Sequence, residues 1–235
     1  MFPPLGSFVN IERGAILYRA MAYAEQDTFF ARAYRTGSDS WTHTPWNRRP
    51  LELAFFLPKG SIILDIGTGR GRLLLDYAKL GFRAIGIENN PELVKKGNAD
   101  IKSHGLEKDL RFMEGTALDI PLADACFDAV SDIGLLHHIA PADYATYAAE
   151  IARVLKPGGL AYIVALSKDT PQHLSWRPNA SETSDYEQEG VQYHFFSDDE
   201  LRHMFGDRFD VRTIDHDAPY GPLGTTFAVC ILKKK

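Results

Sequence analysis

From residue 61 onward, short apolar runs alternate with segments of helical period. The run SIILDIG, beginning at Ser61, is β-branched and ends in an Asp-x-Gly turn, which predicts a strand. RLLLDYAKLG, from Arg72, carries helical spacing and stops at Gly81. RAIGIE (83–88) reads as a second strand. PELVKKGNADIKSHG (91–105) opens on Pro91, suited to a first helical turn, and reaches Gly105 as a cap despite an internal Gly97. Strands are predicted over 110–115 and 127–134. An alanine-rich helix from Pro141 follows, closed by Pro157, Gly158 and Gly159, and LAYIVAL gives a fifth strand. Parallel strands need crossover connections, so five strands alternating with helices predict a doubly wound α/β domain covered on both faces.

After residue 167 the pattern turns polar, with few strand signals, and 167–196 reads as a long surface insertion. Ser197 followed by Glu200 has the spacing of a helix capping box. FDVRTIDHD and TTFAVCILKK, joined by the turn-rich APYGPLG, predict an antiparallel hairpin at the end of the sheet. The first 60 residues lack the alternation. Residues 10–35 are amphipathic and helical in character, Trp41, His43 and Trp46 mark an irregular stretch, and RRPLELAFFL predicts a short helix. The chain therefore divides into an N-terminal lid segment, 1–47, and a main domain, 48–235, interrupted by the insertion.

Composition narrows this picture. With 235 residues, 45% hydrophobic and 24% charged, the chain suits one large globular domain, with or without an appendage. No stretch reaches the roughly 20 apolar residues of a membrane span, and the N-terminus has no basic leader before an apolar run, so the expected location is the cytoplasm. The net charge of −5 weighs against a nucleic-acid partner, which requires clustered Lys and Arg. Lys233, Lys234 and Lys235 read as a solvated tail. Cys126 and Cys230 lie in apolar runs and read as buried thiols. Neither CxxC nor HExxH occurs, and no metal site is expected.

The most informative segment is LDIGTGRGRLL, which places Asp65, Gly67, Thr68, Gly69 and Gly71 between a predicted strand and helix. Glycines there let the backbone turn sharply and approach a ligand, and the helix N-terminus offers free N–H groups. The dinucleotide fingerprint would need a third glycine where Arg72 stands, which disfavours a nicotinamide dehydrogenase. Glu88 ends the second strand 23 residues after Asp65. An open α/β sheet presents a carboxylate at that point to ribose hydroxyls.

These segments resemble the class I S-adenosylmethionine-dependent methyltransferases over roughly residues 48–233. LDIGTGRGR matches the family's first motif and Glu88 in GIENN its ribose acid. EGTALDIPLADACFD matches the adenine-side loop, FDAVSDIGLLHHI the fourth-strand motif and LKPGG the turn before the fifth strand. The resemblance implies a seven-stranded sheet with an antiparallel last strand and S-adenosylmethionine as cofactor. It would place Asp65 and the Gly67–Gly71 backbone at the methionine part, Glu88 and Asn89 at the ribose, and Thr116, Ala117 and Leu118 at the adenine. Asp132 would lie near the transferring methyl. Thr116 stands where many members have an acid, so the adenine contact would be weaker or would pass to Asp119 or to backbone.

A methyl on a sulfonium is already activated, so alignment and water exclusion carry most of the catalysis. A base is needed only for an acceptor that must lose a proton. His137 is the candidate, while His138 reads as a loop anchor. Trp41, Trp46, His137, Tyr186 and His194, with Phe195, are expected to line a small apolar acceptor pocket. The function read from the chain is methyl transfer to a small molecule. The alternatives are a protein or tRNA methyltransferase and a non-catalytic cofactor-binding protein, and the oligomeric state is left open.

Overall fold

The computed structural model describes residue 2 and residues 22–43, 45–171, 184–217 and 224–235, without the side chains of 43–49. The predicted helix before residue 22, the side chains of His43 and Trp46, and the turn at 218–223 lie outside the described residues.

Helix α1 (Ala24–Thr36) ends where Gly37 adopts a left-handed conformation, and 3₁₀ turns follow over Ser40–His43 and Pro45–Phe55. The core then runs β1 (Ile62–Ile66), α2 (Arg72–Lys79), β2 (Arg83–Glu88), α3 (Pro91–Ser103), β3 (Leu110–Glu114), β4 (Phe127–Ile133), α4 (Tyr144–Val154) and β5 (Leu155–Leu166). A small hairpin, β6 (Asp185–Gln188) and β7 (Val191–His194), precedes α5 (Asp198–Gly206), β8 (Phe209–His216) and β9 (Phe227–Lys234). The main sheet has seven strands in the order β3-β2-β1-β4-β5-β9-β8. The first five in this order are parallel, and β9 is antiparallel to both its neighbours.

Successive strand residues point to opposite faces, and both faces are covered, which is why β1 reads as an apolar run interrupted only by Asp65. Leu64, Ile66, Ile85 and Val130 pack with Tyr147 and Ile151 of α4 and Phe205 of α5. Ile63, Ala84, Ala129 and Val164 pack on the other side with Leu74 and Tyr77 of α2, Ile101 of α3 and Leu53. The internal Gly97 of α3 has its reason here. The Phe112 ring lies against the helix backbone, and a Cβ on Gly97 would stand 2.4 Å from the ring.

The structure corrects several expectations. Helix α4 does not run to Pro157 but stops at Val154, because Leu155 pairs directly with Phe127 and is fully buried. Residues 156–159 form an irregularity within β5, where the partner register jumps from Leu155 to Leu160. The insertion contains the hairpin β6–β7, whose turn residues Glu189 and Gly190 both have positive φ, as a two-residue hairpin loop requires. The predicted short helix is a 3₁₀ segment with Pro50 inside it. Lys233 and Lys234 are strand residues rather than a tail, and the Lys234 ammonium donates to the Leu155 carbonyl at 2.6 Å. Cys230 is buried as expected, whereas Cys126 is half-buried. The Ser197–Glu200 capping box is formed reciprocally. Among the described residues, no helix is long and apolar enough to cross a membrane.

Candidate functional site

The parallel strands all end at one edge of the sheet, and the chain order reverses between β1 and β4. Open α/β sheets bind ligands in the crevice this creates. A cavity of about 1250 Å³ lies there, bounded by the Gly67–Arg72 turn, the ends of β2 and β3, the loop after β4, the start of β9 and helix α1.

The β1 turn is built on left-handed Gly67, Gly69 and Gly71. Gly69 is in close contact with another element: a Cβ there would lie 2.8 Å from the Tyr34 hydroxyl of α1. The Gly69 amide donates to Glu88 Oε2 at 2.9 Å and the Asn90 amide to Oε1 at 3.1 Å. Burial raises the Glu88 carboxyl above the usual range, opposed by these backbone donors. Asp65 is buried under the turn, where Ser131 Oγ donates to its Oδ1 at 2.6 Å and burial lifts it to about 6. At the end of β3, Thr116, Ala117, Leu118 and Asp119 line the cavity, and Thr116 Oγ1 accepts from the Leu118 amide at 3.2 Å.

Beyond β4 the chain forms a 3₁₀ turn over Leu136–His138. Both histidines line the cavity and are buried. His138 Nδ1 donates to the Gln192 carbonyl at 2.7 Å, and burial pushes its imidazole down to about 4. Burial, with His138 and His194 adding to it, holds His137 well below the ordinary range; its Nδ1 is sealed off without a hydrogen-bond partner. Both rings are therefore neutral near pH 7.

Helix α1 closes the cavity and is tied down from several sides. Asn89 Nδ2 donates to Asp27 at 2.7 Å, and Gln26 Nε2 donates to the His138 carbonyl at 3.2 Å while its oxygen accepts from the Gln192 amide. Arg70 of the glycine turn makes two 2.7 Å bonds to Asp39 and a third to the Tyr34 carbonyl. Burial alone would raise Asp39, but the Arg70 and Thr42 hydrogen bonds outweigh it and hold the carboxyl low. Arg72 donates to the Thr42 carbonyl.

Of the residues singled out from sequence, Asp65, Gly67, Thr68, Gly69, Glu88, Asn89, Thr116, Ala117, Leu118, Trp41 and His137 share this cavity. Gly71 lies behind it, against the Phe112 ring. Asp132 does not face the cavity. It is fully buried, accepts from the Tyr147 hydroxyl and the Leu135 amide, and is lifted by burial to about 7. Tyr186 and His194 instead line a neighbouring cavity of about 300 Å³ that shares His137 with the first. Phe195 is fully buried in the core, because it follows the hairpin back into the sheet. Sequence reasoning passed over Phe30, Tyr193, Phe227 and Arg70 as site residues. The signal available for Arg70 was its place inside the glycine turn; the three rings come from distant segments and carried none.

Residues 63–159 match a family model described as a methyltransferase domain. An uncharacterized methyltransferase of Synechocystis sp. is 27% identical over 135 residues, which is 57% of this chain and 60% of that protein. The demethylmenaquinone methyltransferase of Thermus thermophilus is 35% identical over 115 residues, 48% of this chain and 50% of that protein. The chain thus spans 60% and 50% of the lengths of these relatives. Among solved structures, the 1,6-didemethyltoxoflavin-N1-methyltransferase of Burkholderia thailandensis, with bound 1,6-didemethyltoxoflavin and S-adenosylhomocysteine, has a TM-score of 0.76 over 100% of both chains at 23% identity, a likeness of fold. The matched segment contains the glycine turn, Glu88, the Thr116 loop and both histidines, set in a seven-stranded sheet in which β9 runs against both its neighbours, and over these residues the chain is similar to the methyltransferase-domain family.

Proposed function

We propose that this protein is an enzyme that transfers a methyl group from S-adenosylmethionine to a small-molecule acceptor. The observation that carries the reading is a single cavity in two parts. One part has the glycine turn, Glu88 and the Thr116 loop; the other has the aromatic walls around His137 and Phe227. At about 1250 Å³ it exceeds the roughly 300–1,000 Å³ of a site for one small ligand, so it suits a cofactor and an acceptor side by side.

The residues present fit the cofactor. The left-handed glycine turn leads into α2, whose free N–H groups favour negative charge such as a carboxylate. The Glu88 carboxylate takes backbone donors from Gly69 on one oxygen and Asn90 on the other, with the Asn89 backbone adding to them, and keeps lone pairs for vicinal hydroxyls. Asn89 lies beside it, and Asp65 lines the wall from below the turn. Thr116 to Leu118 form the adenine side, with Asp119 at the same wall. Bound S-adenosylmethionine supplies an activated methyl. The chain's own part is to hold the acceptor in line and to exclude water, and α1 performs the second task by covering the turn. Asp132 acts at one remove: its bond to the Leu135 amide positions the loop that carries His137, while Trp41 belongs to the acceptor wall. Residues 22–43 of the N-terminal segment serve as the lid, and Tyr186 and His194 line an annex of the acceptor site.

Calorimetry with S-adenosylhomocysteine tests the cofactor half: submicromolar to micromolar binding that Glu88→Ala weakens by at least about tenfold is expected. Radiolabelled methyl transfer into a metabolite extract, and not into protein or RNA fractions, tests the acceptor half. Absence of cofactor binding to the wild type refutes the reading.

A further inference from the structure

The cavity wall is divided by charge. Its acidic and basic side chains from the main domain, among them Asp65, Arg70, Glu88, Glu114 and Asp119, all stand on or just after β1, β2 and β3. Helix α1 adds Asp27, whose carboxylate is engaged by Asn89, and Arg35, next in sequence to the Tyr34 that touches Gly69. From β4 onward the lining changes to Ile133, Leu135, Leu166, Thr225 and aromatic rings, with no Asp, Glu, Lys or Arg among the described residues.

The rings on this side form one connected arc. Trp41 meets Phe30 edge-on at 5.5 Å, Phe30 meets His138 at 5.1 Å, and His138 meets Tyr193 at 4.8 Å. A branch runs from His138 through His137, 4.3 Å away, to Phe227 at 6.5 Å. All six rings line the cavity, and the two imidazoles among them are uncharged.

We propose that the acceptor is an uncharged, planar aromatic or heteroaromatic molecule, seated within this arc and hydrogen-bonded to the His137 imidazole through a ring N–H or hydroxyl. The proposal rests on the methyltransferase reading and names its substrate class. Within the arc a carboxylate would be stripped of water with no cation to replace it, and an alkylammonium would find carboxylates only outside it, at Asp27, already engaged by Asn89, and at Asp185 and Glu187 in the annex, so either charge is costly there. A flat neutral ring loses little hydration and gains edge-to-face and stacking contacts. His137 supplies the polar group that fixes orientation. Its Nδ1 is sealed, so the contact falls to Nε2, and burial keeps the ring from becoming a competing cation.

The test is calorimetry in saturating S-adenosylhomocysteine with three probes of matched size: 4-hydroxyquinoline, 4-(aminomethyl)quinoline and quinoline-4-carboxylate. The neutral ring is expected to bind about 100-fold more tightly than either charged one. Phe227→Leu and Tyr193→Leu should each weaken it by up to about tenfold. His137→Phe, which keeps a ring, should abolish the preference for 4-hydroxyquinoline over naphthalene. All three variants should bind S-adenosylhomocysteine within about twofold of the wild type, which also reports that they are folded. Equal or tighter binding of a charged probe overturns the proposal, as does unchanged ring affinity in the two Leu variants. Failure to bind S-adenosylhomocysteine overturns the methyltransferase reading instead.

Discussion

Gly97 lies in the middle of α3, where alanine is the better helix former by about 1 kcal/mol. The packing predicts the opposite sign for Gly97→Ala. The added Cβ would lie 2.4, 2.6 and 2.6 Å from three carbons of the Phe112 ring. The ring has no room to retreat, because its atoms already stand 2.2 and 2.7 Å from where a Cβ on Gly71 would be. It is clamped between a helix and the glycine turn. Overpacking of a tight core costs about 1–3 kcal/mol, and a clamped ring belongs at the upper end. Net of the propensity gain, the variant should be about 1–2 kcal/mol less stable than the wild type. In a Phe112→Leu background the same substitution should become neutral or stabilising, a coupling of about 2 kcal/mol. Urea unfolding of the four proteins, followed by circular dichroism and compared at equal m-values, measures this. A stabilised Gly97→Ala single variant, or a coupling near zero, refutes the account. Because the ring also braces Gly71, the single variant should lose affinity for S-adenosylhomocysteine and the double variant should recover part of it.

Three further outcomes are expected. Arg70→Met leaves the Asp39 carboxylate, only 3% exposed, with Thr42 as its remaining side-chain donor; cleavage within 22–43 in limited proteolysis should accelerate and cofactor affinity fall roughly tenfold, and unchanged proteolysis would count against α1 as a lid. Ser197→Ala removes one half of a reciprocal capping box and should cost about 1 kcal/mol in urea unfolding; no change would mean the cap is idle. The third concerns pH. Below about 6.5 the unfolded chain protonates His138 while the folded chain resists until about 4, so this group's contribution to stability falls as pH drops through that window. Asp65 and Asp132, lifted to about 6 and about 7, act in the opposite sense, because the folded form takes up their protons first. His138→Asn isolates the first effect. The wild type should lose up to about 1.4 kcal/mol per pH unit relative to the variant between roughly pH 6.5 and 4.5, and parallel stability curves would show that burial does not depress His138.

The sequence by itself determined the sheet and the half of the cavity at the ends of β1 to β3. Strand runs such as Ile62–Ile66 and Arg83–Glu88 are covered on both faces and so are written as apolar stretches whose charged residues, Asp65 and Glu88, fall at or near the strand ends, with Arg83 at a start. The Gly67–Gly71 turn and Glu88 are local features, because a turn's residues and a strand's last residue are neighbours along the chain. The capping box at Ser197 was legible for the same reason, each partner lying three residues from the other. Where local signals conflicted with long-range pairing, tertiary structure decided. Pro157, Gly158 and Gly159 look like a helix stop, yet the pairing of Leu155 with Phe127 ends the helix earlier and places them inside a strand. The hairpin at 185–194 is polar on most positions, exposes much of its surface, and so lacks the apolar alternation that marks a half-buried strand. Asp132 sits at a strand end like Glu88, but the Tyr147 hydroxyl of α4 draws its carboxylate into the core, a contact across 15 residues that no spacing rule announces. The aromatic wall of the cavity was the least legible part. Phe30, Tyr193 and Phe227 come from a helix, a hairpin and an antiparallel strand, and they converge only in the fold: β9 starts at the edge where the parallel strands end, and Gln26 of α1 ties that helix to the hairpin beside it.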